Sequence, residues 1–442
     1  MSRHVRAGKA VPVLGHSLRL LRDPLGFLRR VRCLGDVVEI RLGPKRIQVV
    51  NAPDLVHQIM VVEARNFDKG SLFEKSKPFI GNGLANSSGD FHLRQRRLMQ
   101  PAFHARNFPR YVEIMNEVAR TKAASWRPGQ ILDLPHELHD VTFRTTARTL
   151  FSTDLAAPAV DELNRLFPEF LRQLPRHTFA PFPFLEKLPT PANRRFHGAI
   201  GRMRGLIHGI IDDYRKAGAD HGDLLSLLLL ARHPDTGAGM TDEQVHDEAV
   251  TLLAGGSETT AAMVGWIFYQ LAANPSIEEG VHAELDSVLG GCPVSFGDVD
   301  RLPYTRRVLN EALRMYSLAL IPRRALVDVD VAGRRHPAGT QFFISPYAMH
   351  RDQSLFTDPA RFDPDRWLPA RTSGADRRTF GPFGAGVHRC IGDTYAMVDM
   401  AVIVAAVAAR WRLALVPGRQ VKERMRGTTR PGALPMIAKS RV

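Results

Sequence analysis

Cysteine is nearly absent from this 442-residue chain. The three that occur, Cys33, Cys292 and Cys390, are far apart and odd in number, which suggests neither a disulfide framework nor a zinc cluster and fits a reducing cytoplasm. Long apolar runs are missing as well. Near the N-terminus, Val11-Pro-Val-Leu14 is too short for a signal peptide or a membrane span, so no membrane anchor is expected. There is no internal repeat, no low-complexity tract and no nucleic-acid-binding motif. Acidic residues are the scarcer charge, 45 Asp and Glu against 60 Lys and Arg, a net charge of +15. Nucleic acid is the first partner such a charge raises, but the basic residues are scattered. An acidic protein partner, or a basic surface with no role, accounts for the charge as well.

What is present centres on Phe383–Gly392, which reads F-G-A-G-V-H-R-C-I-G. Gly384 and Gly386 permit a tight turn and a close backbone approach to a flat ligand. A thiolate in such a turn can be ringed by backbone N–H donors. Cysteine beside glycines is ordinarily a buried thiol next to a turn. The spacing F-G-x-G-x-H-x-C-x-G, followed by an apolar helical run over Ala396–Ala409, resembles instead the haem-binding signature of the cytochrome P450 family. That resemblance makes Cys390 the axial ligand of haem b iron and His388 a ligand of the haem propionates, with Phe383 and Gly392 beside the cofactor.

Other stretches carry the same resemblance in order. Asp36–Val50 alternates apolar and polar positions about Gly43-Pro44-Lys45 and reads as a β-hairpin. Asp54–Glu63 reads as a helix opened by Pro53, and Phe67–Leu84, without a period, as a long loop. A helix opens at Gly89, and its His92 and Arg96, four apart, share a face. A solvated basic helix would look alike, but the segment resembles the family's His-x-x-x-Arg helix, whose pair binds the haem propionates, while Arg94 and Arg97 point elsewhere. Helices are expected over 111–125, 136–151, 160–173 and 194–216. The aromatic, proline-rich His177–Leu185 resembles the lid over substrate access, and an apolar mouth there suits a lipophilic substrate.

Thr241 and Gln244 have capping-box spacing and open a helix to about Ala273, roughly 45–50 Å long at the α-helical rise. Its middle, Ala254-Gly-Gly-Ser-Glu-Thr-Thr260, sets paired glycines, which weaken a helix, beside β-branched residues and an acid. Close helix packing would explain the glycines. The run resembles the family's oxygen-activation motif, which implies Glu258 as the acid and Thr259 as the hydroxyl that delivers protons. Glu311 and Arg314 are i,i+3 neighbours, by themselves commonplace; the resemblance adds Arg366 and makes them a structural charge network. It also makes Arg323, rather than Arg324, a propionate ligand. Leu252, Leu253, Ala254, Leu320, Ile321, parts of 67–84 and Thr428-Thr429 are expected to line the substrate pocket.

The expected fold is mainly α with a minor β portion, a single domain over residues 1–442 with a β-rich part about 36–66 and strands about 326–346. The implied function is a haem monooxygenase using O2 on a lipophilic small molecule. The N-terminal third (Gly35-Asp-Val-Val38, Gln95-Arg-Arg97, Pro101-Ala-Phe103) is similar to actinobacterial members that oxidise terpenoids, with fatty acids, steroids or polyketides as alternatives. No reductase domain is fused, so a separate ferredoxin and its NAD(P)H-dependent reductase are implied, in the cytoplasm. Two rival classes are a peroxygenase, against which the Glu258-Thr259 pair argues, and a non-catalytic haem sensor.

Overall fold

A computed structural model describes residues 3–8, 10–151, 153–178, 188–218, 220–233, 236–372, 379–426 and 428–441. The expected apolar stretch 177–185 lies outside them, apart from the helical backbone of its first two residues.

Helices dominate, and the longest, Asp242–Ala273, organises them. It starts as the sequence requires: Thr241 caps Gln244 N–H while the Gln244 side chain returns to Thr241 N–H, which satisfies donors that a helix start leaves unpaired. It stops before Asn274-Pro275, where the proline ring disfavours helix in the preceding residue. The helix lies against Leu134–Leu150 and near Asp393–Ala408, and the largest apolar core gathers around these elements. Within Asp393–Ala408, residues 398–408 are all buried, which accounts for their nearly unbroken apolar sequence.

The strands are β1 (His4–Arg6), β2 (Val37–Leu42), β3 (Lys45–Val50), β4 (Phe67–Asp68), β5 (Ile131–Asp133), β6 (Ile321–Ala325), β7 (Val329–Val331), β8 (Arg334–His336), β9 (Gln341–Ile344), β10 (Trp411–Leu415), β11 (Glu423–Arg426), β12 (Thr428–Pro431) and β13 (Pro435–Ser440). The largest sheet has the order β1-β2-β3-β9-β6-β4. The expected hairpin is its β2–β3 pair, with Leu42 opposite Lys45 and Gly43, at φ 60°, in the two-residue turn. The other sheets are β10-β13-β5, β11-β12 and β7-β8.

The expected helix over 54–63 is present as Pro53–His57 and a π-helical turn at Gln58–Val62. One expectation needs correction: 67–84 is not a loop throughout, because Ser71–Ile80 is a helix. Gly70 (φ 80°) and Gly81 (φ 74°) bracket it, and Pro78 falls near its end, where a missing N–H forfeits only one helical hydrogen bond.

Candidate active site

One cavity of about 640 Å3 runs between the long helix and the Phe383–Gly392 loop. The loop reaches it through two left-handed glycines, Gly384 (φ 73°) and Gly386 (φ 64°). A Cβ on Gly386 would stand 2.1 Å from the Met60 carbonyl oxygen, so the π-helical turn at 58–62 packs directly on this glycine. Cys390 N–H donates to the Phe383 carbonyl at 2.8 Å and closes the turn. The Cys390 side chain borders the cavity. Removal from bulk water raises its thiol pKa, while the backbone N–H of Gly392 pulls the other way. That donor is the kind that stabilises charge on sulfur. Phe383, His388 and Gly392 border the same space.

At one side of the cavity the wall is cationic. The helix Gly89–Met99 brings His92 and Arg96 to it together, as their spacing requires, and leaves Arg94 and Arg97 exposed. His92 lies 3.1 Å from Ser87 Oγ and 3.1 Å from the Val387 carbonyl, and its ring meets His388 at 3.3 Å between nitrogens. Arg96 donates to the Arg389 carbonyl at 2.5 Å. Arg323 and Arg324 are successive in β6, where side chains alternate between faces. Arg324 is spent on Asp68 and Glu74, whereas Arg323 is buried at the cavity, with Nη1 on the Pro322 carbonyl at 2.8 Å.

Lys69 joins this group, and the sequence reading missed it. Its Nζ donates to the carbonyls of Leu84 and Ala85 at 2.6 and 2.9 Å. A lysine in a stretch read as loop would be expected in solvent; here Phe67–Asp68 pairs with β6 and carries the next residue inward.

Burial lowers Lys69 to about 7, His92 to about 4, His388 to about 2 and Arg323 to about 10. For Lys69, His92 and His388, repulsion by neighbouring cations adds to it. Among the described residues the one acid in the cavity wall is Glu258, and Arg430 of β12 holds it. The cationic side therefore has surplus positive charge in a desolvated place, the complement of a flat cofactor with two carboxylates on one edge. Together with a thiol on a turn of backbone donors, these residues fit haem b.

On the long helix the two glycines have different neighbours. A Cβ on Gly256 would meet Thr146 Oγ1 at 2.7 Å, so it serves packing against Leu134–Leu150; one on Gly255 would meet nothing within 4 Å. Thr259 Oγ1 donates to the Gly255 carbonyl, and both residues border the cavity. Of the expected pocket residues, Leu252, Ala254, Leu320, Ile321, Thr428 and Thr429 border it, together with Phe73, Ile80 and Leu84 from the 67–84 stretch. Leu253 does not. It is fully buried in a second core cluster, and its carbonyl accepts from Ser257 Oγ at 2.5 Å. One residue is a rotation of about 100° on a helix, which turns Leu253, and Ser257 one turn on, away from the cavity.

Away from the cavity, Arg314 grips Glu311 through two nitrogens at 2.7 and 2.9 Å, both side chains fully buried. Arg366 reaches Glu311 at 3.4 Å, and Trp367 Nε1 donates to it at 3.0 Å. The network expected from the sequence is thus in place. His208, Glu243 and His246 also gather, but Arg204 already holds Glu243 and the two imidazoles are stacked.

The cytochrome P450 family model matches residues 5–438. The chain is 43% identical over 433 residues to a cyclooctat-9-en-7-ol 5-monooxygenase of Streptomyces melanosporofaciens, covering 98% of this chain and 94% of that protein. It is 42% identical to a cyclooctatin synthase of the same organism, covering 99% and 96%, and 38% identical to a pentalenene oxygenase of Streptomyces avermitilis, covering 96% and 95%. The fold matches the crystal structure of the cytochrome P450DA heme domain with a TM-score of 0.88 at 24% identity, over 100% of this chain and 99% of that one. No helix among the described residues is long and apolar enough to cross a membrane. The chain belongs to the cytochrome P450 family, and it is a haem-dependent monooxygenase whose cofactor is haem b with a cysteine thiolate on the iron.

Proposed function

We propose that this protein, acting as one haem domain over its whole length, oxidises a polycyclic terpenoid in secondary metabolism at the cavity beneath the long helix. The observation that carries the reading is that one cavity joins Cys390, the cationic wall and the Gly255–Thr259 turn, while most of its remaining lining is apolar. In this reading Cys390 is the axial thiolate. Arg96, Arg323, His92 and His388, with Lys69, bind the propionates, and Phe383 and Gly392 border the cofactor. Haem b held by a thiolate supplies reductive activation of O2 and insertion of one oxygen atom into the substrate. Leu252, Ala254, Leu320 and Ile321 shed water around a lipophilic skeleton.

Thr259 and Glu258 manage protons. Because Thr259 Oγ1 donates its own hydrogen to the Gly255 carbonyl, its oxygen is left to accept from a water in the cavity, which can pass a proton on. The Glu258 carboxylate, held by Arg430, connects that position to the solvent side. Substrate class is carried over from relatives whose names specify cyclooctat-9-en-7-ol and pentalenene. Electrons come from a ferredoxin and its NAD(P)H-dependent reductase, docking at the exposed Arg94 and Arg97, in the cytoplasm.

The test is a panel of cyclic terpenes and terpene alcohols, with fatty acids, steroids and polyketides as competitors, screened for displacement of the Soret band and then for products with ferredoxin, reductase and NADPH. A cyclic terpenoid should give the tightest response and a product one oxygen heavier. A response confined to another class overturns the substrate assignment. Thr259→Ala should keep binding but release hydrogen peroxide, with little product per NADPH; full coupling at the wild-type rate would remove the hydroxyl from the relay.

A further inference from the structure

The segment between the helices Ser71–Ile80 and Gly89–Met99 borders the cavity at Leu84 and Ala85. The first turns of the long helix hold it. Asp247 accepts the Asn82 N–H at 2.7 Å, and Glu248 accepts the Leu84 N–H at 2.8 Å. The approach is close enough to need glycine: a Cβ on Gly83 would lie 2.3 Å from Thr251 Oγ1 and 2.5 Å from the Asp247 carbonyl oxygen. On the same segment the carbonyls of Leu84 and Ala85 accept from Lys69 Nζ. Glu248 is 1% exposed and Lys69 7%, so a short run of backbone links two buried ionisable groups.

We propose that Glu248 is a positioning residue of this active site: by accepting the Leu84 amide it fixes residues 82–85 as a cavity wall and, through the Leu84 and Ala85 carbonyls, holds the Lys69 ammonium on the cationic side. The role rests on the reading of the cavity as the haem and substrate pocket. Burial raises Glu248 to about 8 and lowers Lys69 to about 7, so burial disfavours the charged form of both. The hydrogen bond to Leu84, more than a charge pair, therefore does the positioning. Glutamine keeps an acceptor of the same reach; leucine leaves the buried amide without one, a loss that opens the segment locally.

The experiment compares holoenzyme of the wild type, Glu248→Leu and Glu248→Gln by amide hydrogen exchange over residues 81–88, by haem transfer to apomyoglobin and by terpenoid-induced displacement of the Soret band. In Glu248→Leu, exchange at 82–85 and haem loss should each be about tenfold faster, and substrate binding about tenfold weaker, scaled to one buried hydrogen bond. Exchange in the helix Asp393–Ala408 should not change. Glu248→Gln should restore all three. Wild-type protection of 82–85 in Glu248→Leu overturns the proposal, as does a Glu248→Gln variant as impaired as Glu248→Leu. If Glu248→Leu yields no holoenzyme, Gly83→Ala carries the test, since its Cβ should push the segment off the long helix with Glu248 intact; unchanged exchange at 82–85 there overturns the proposal equally. Expected exchange and haem loss with no terpenoid response in any variant would support the Glu248 role and count only against the substrate class.

Discussion

Two groups of buried charge stand in contrast. Around Glu311 positive charge is partnered by an acid: two guanidiniums and an indole N–H converge on one carboxylate, and the remaining Arg314 and Arg366 donors find the carbonyls of His350 and Thr357. Around Lys69, Arg96 and Arg323 it is not: positive groups crowd together with carbonyls as their main partners. The first arrangement is complete without anything added. The second becomes balanced only when an anion arrives. Whether buried cations reach a carboxylate or only carbonyls thus separates residues that hold the protein together from residues that hold a ligand, even where the residue types are the same.

Breaking the matched group should have the largest effect. Glu311→Ala leaves two buried guanidiniums without their carboxylate, at about 3–5 kcal/mol, and should yield little soluble holoprotein. Normal haem content with an unchanged melting temperature would show that the network contributes no stability. Arg323→Met, in the unmatched group, should do the reverse: the protein folds, but haem moves to apomyoglobin about 10–100-fold faster, the loss scaled to a hydrogen bond made to a charged group.

A smaller effect separates Lys69 from its neighbours. Its pKa lies at about 7, well below its ordinary 10.5, and a propionate nearby would raise it. Haem binding then takes up a proton at Lys69 at pH values above about 7, so the stabilisation that Lys69 gives should shrink as pH rises from 7 to 9, by at most about tenfold per unit. Loss of the Cys390 thiol proton on ligation is common to both proteins, so the haem affinity of the wild type divided by that of Lys69→Met should fall across that window; a constant ratio removes Lys69 from the site. The sign is opposite to that of a site held by carboxylates. The exposed arginines should show the smallest effect. Arg94 and Arg97 act through solvent, where the screening length is about 10 Å at 0.1 M salt. Reduction by an acidic ferredoxin should slow with added salt and slow further in Arg97→Glu; salt-independent rates would move the docking face elsewhere.

The contrast was partly readable in the sequence. Local pattern was enough wherever the determinant lies within a few residues, as in the Thr241–Gln244 cap, the glycine turn before Cys390 and the shared face of His92 and Arg96. Lys69 was not readable, because its burial depends on pairing with β6 and on carbonyls 15 and 16 residues away. The Arg430 partner of Glu258 is 172 residues distant and has no local signal. Leu253 was misplaced for a simpler reason: an apolar run in the middle of a largely covered helix has no polar face to fix its rotation. The helix at 71–80 was hidden by its own short length, its flanking glycines and Pro78.

The long helix also determines where this enzyme can change. Its sides are committed unequally: Leu253 and Ser257 belong to the core, Gly256 to a helix contact, and Asp247 and Glu248 to a neighbouring segment. Leu252 and Ala254 border the cavity and form no side-chain hydrogen bond. Both also pack against the edge of the second core cluster, so apolar variation at these two positions alters the shape presented to a substrate at little cost to the scaffold. They are the natural first positions for a library meant to move oxidation from one carbon skeleton to another, and the route by which a lineage could diversify its products without refolding its enzyme.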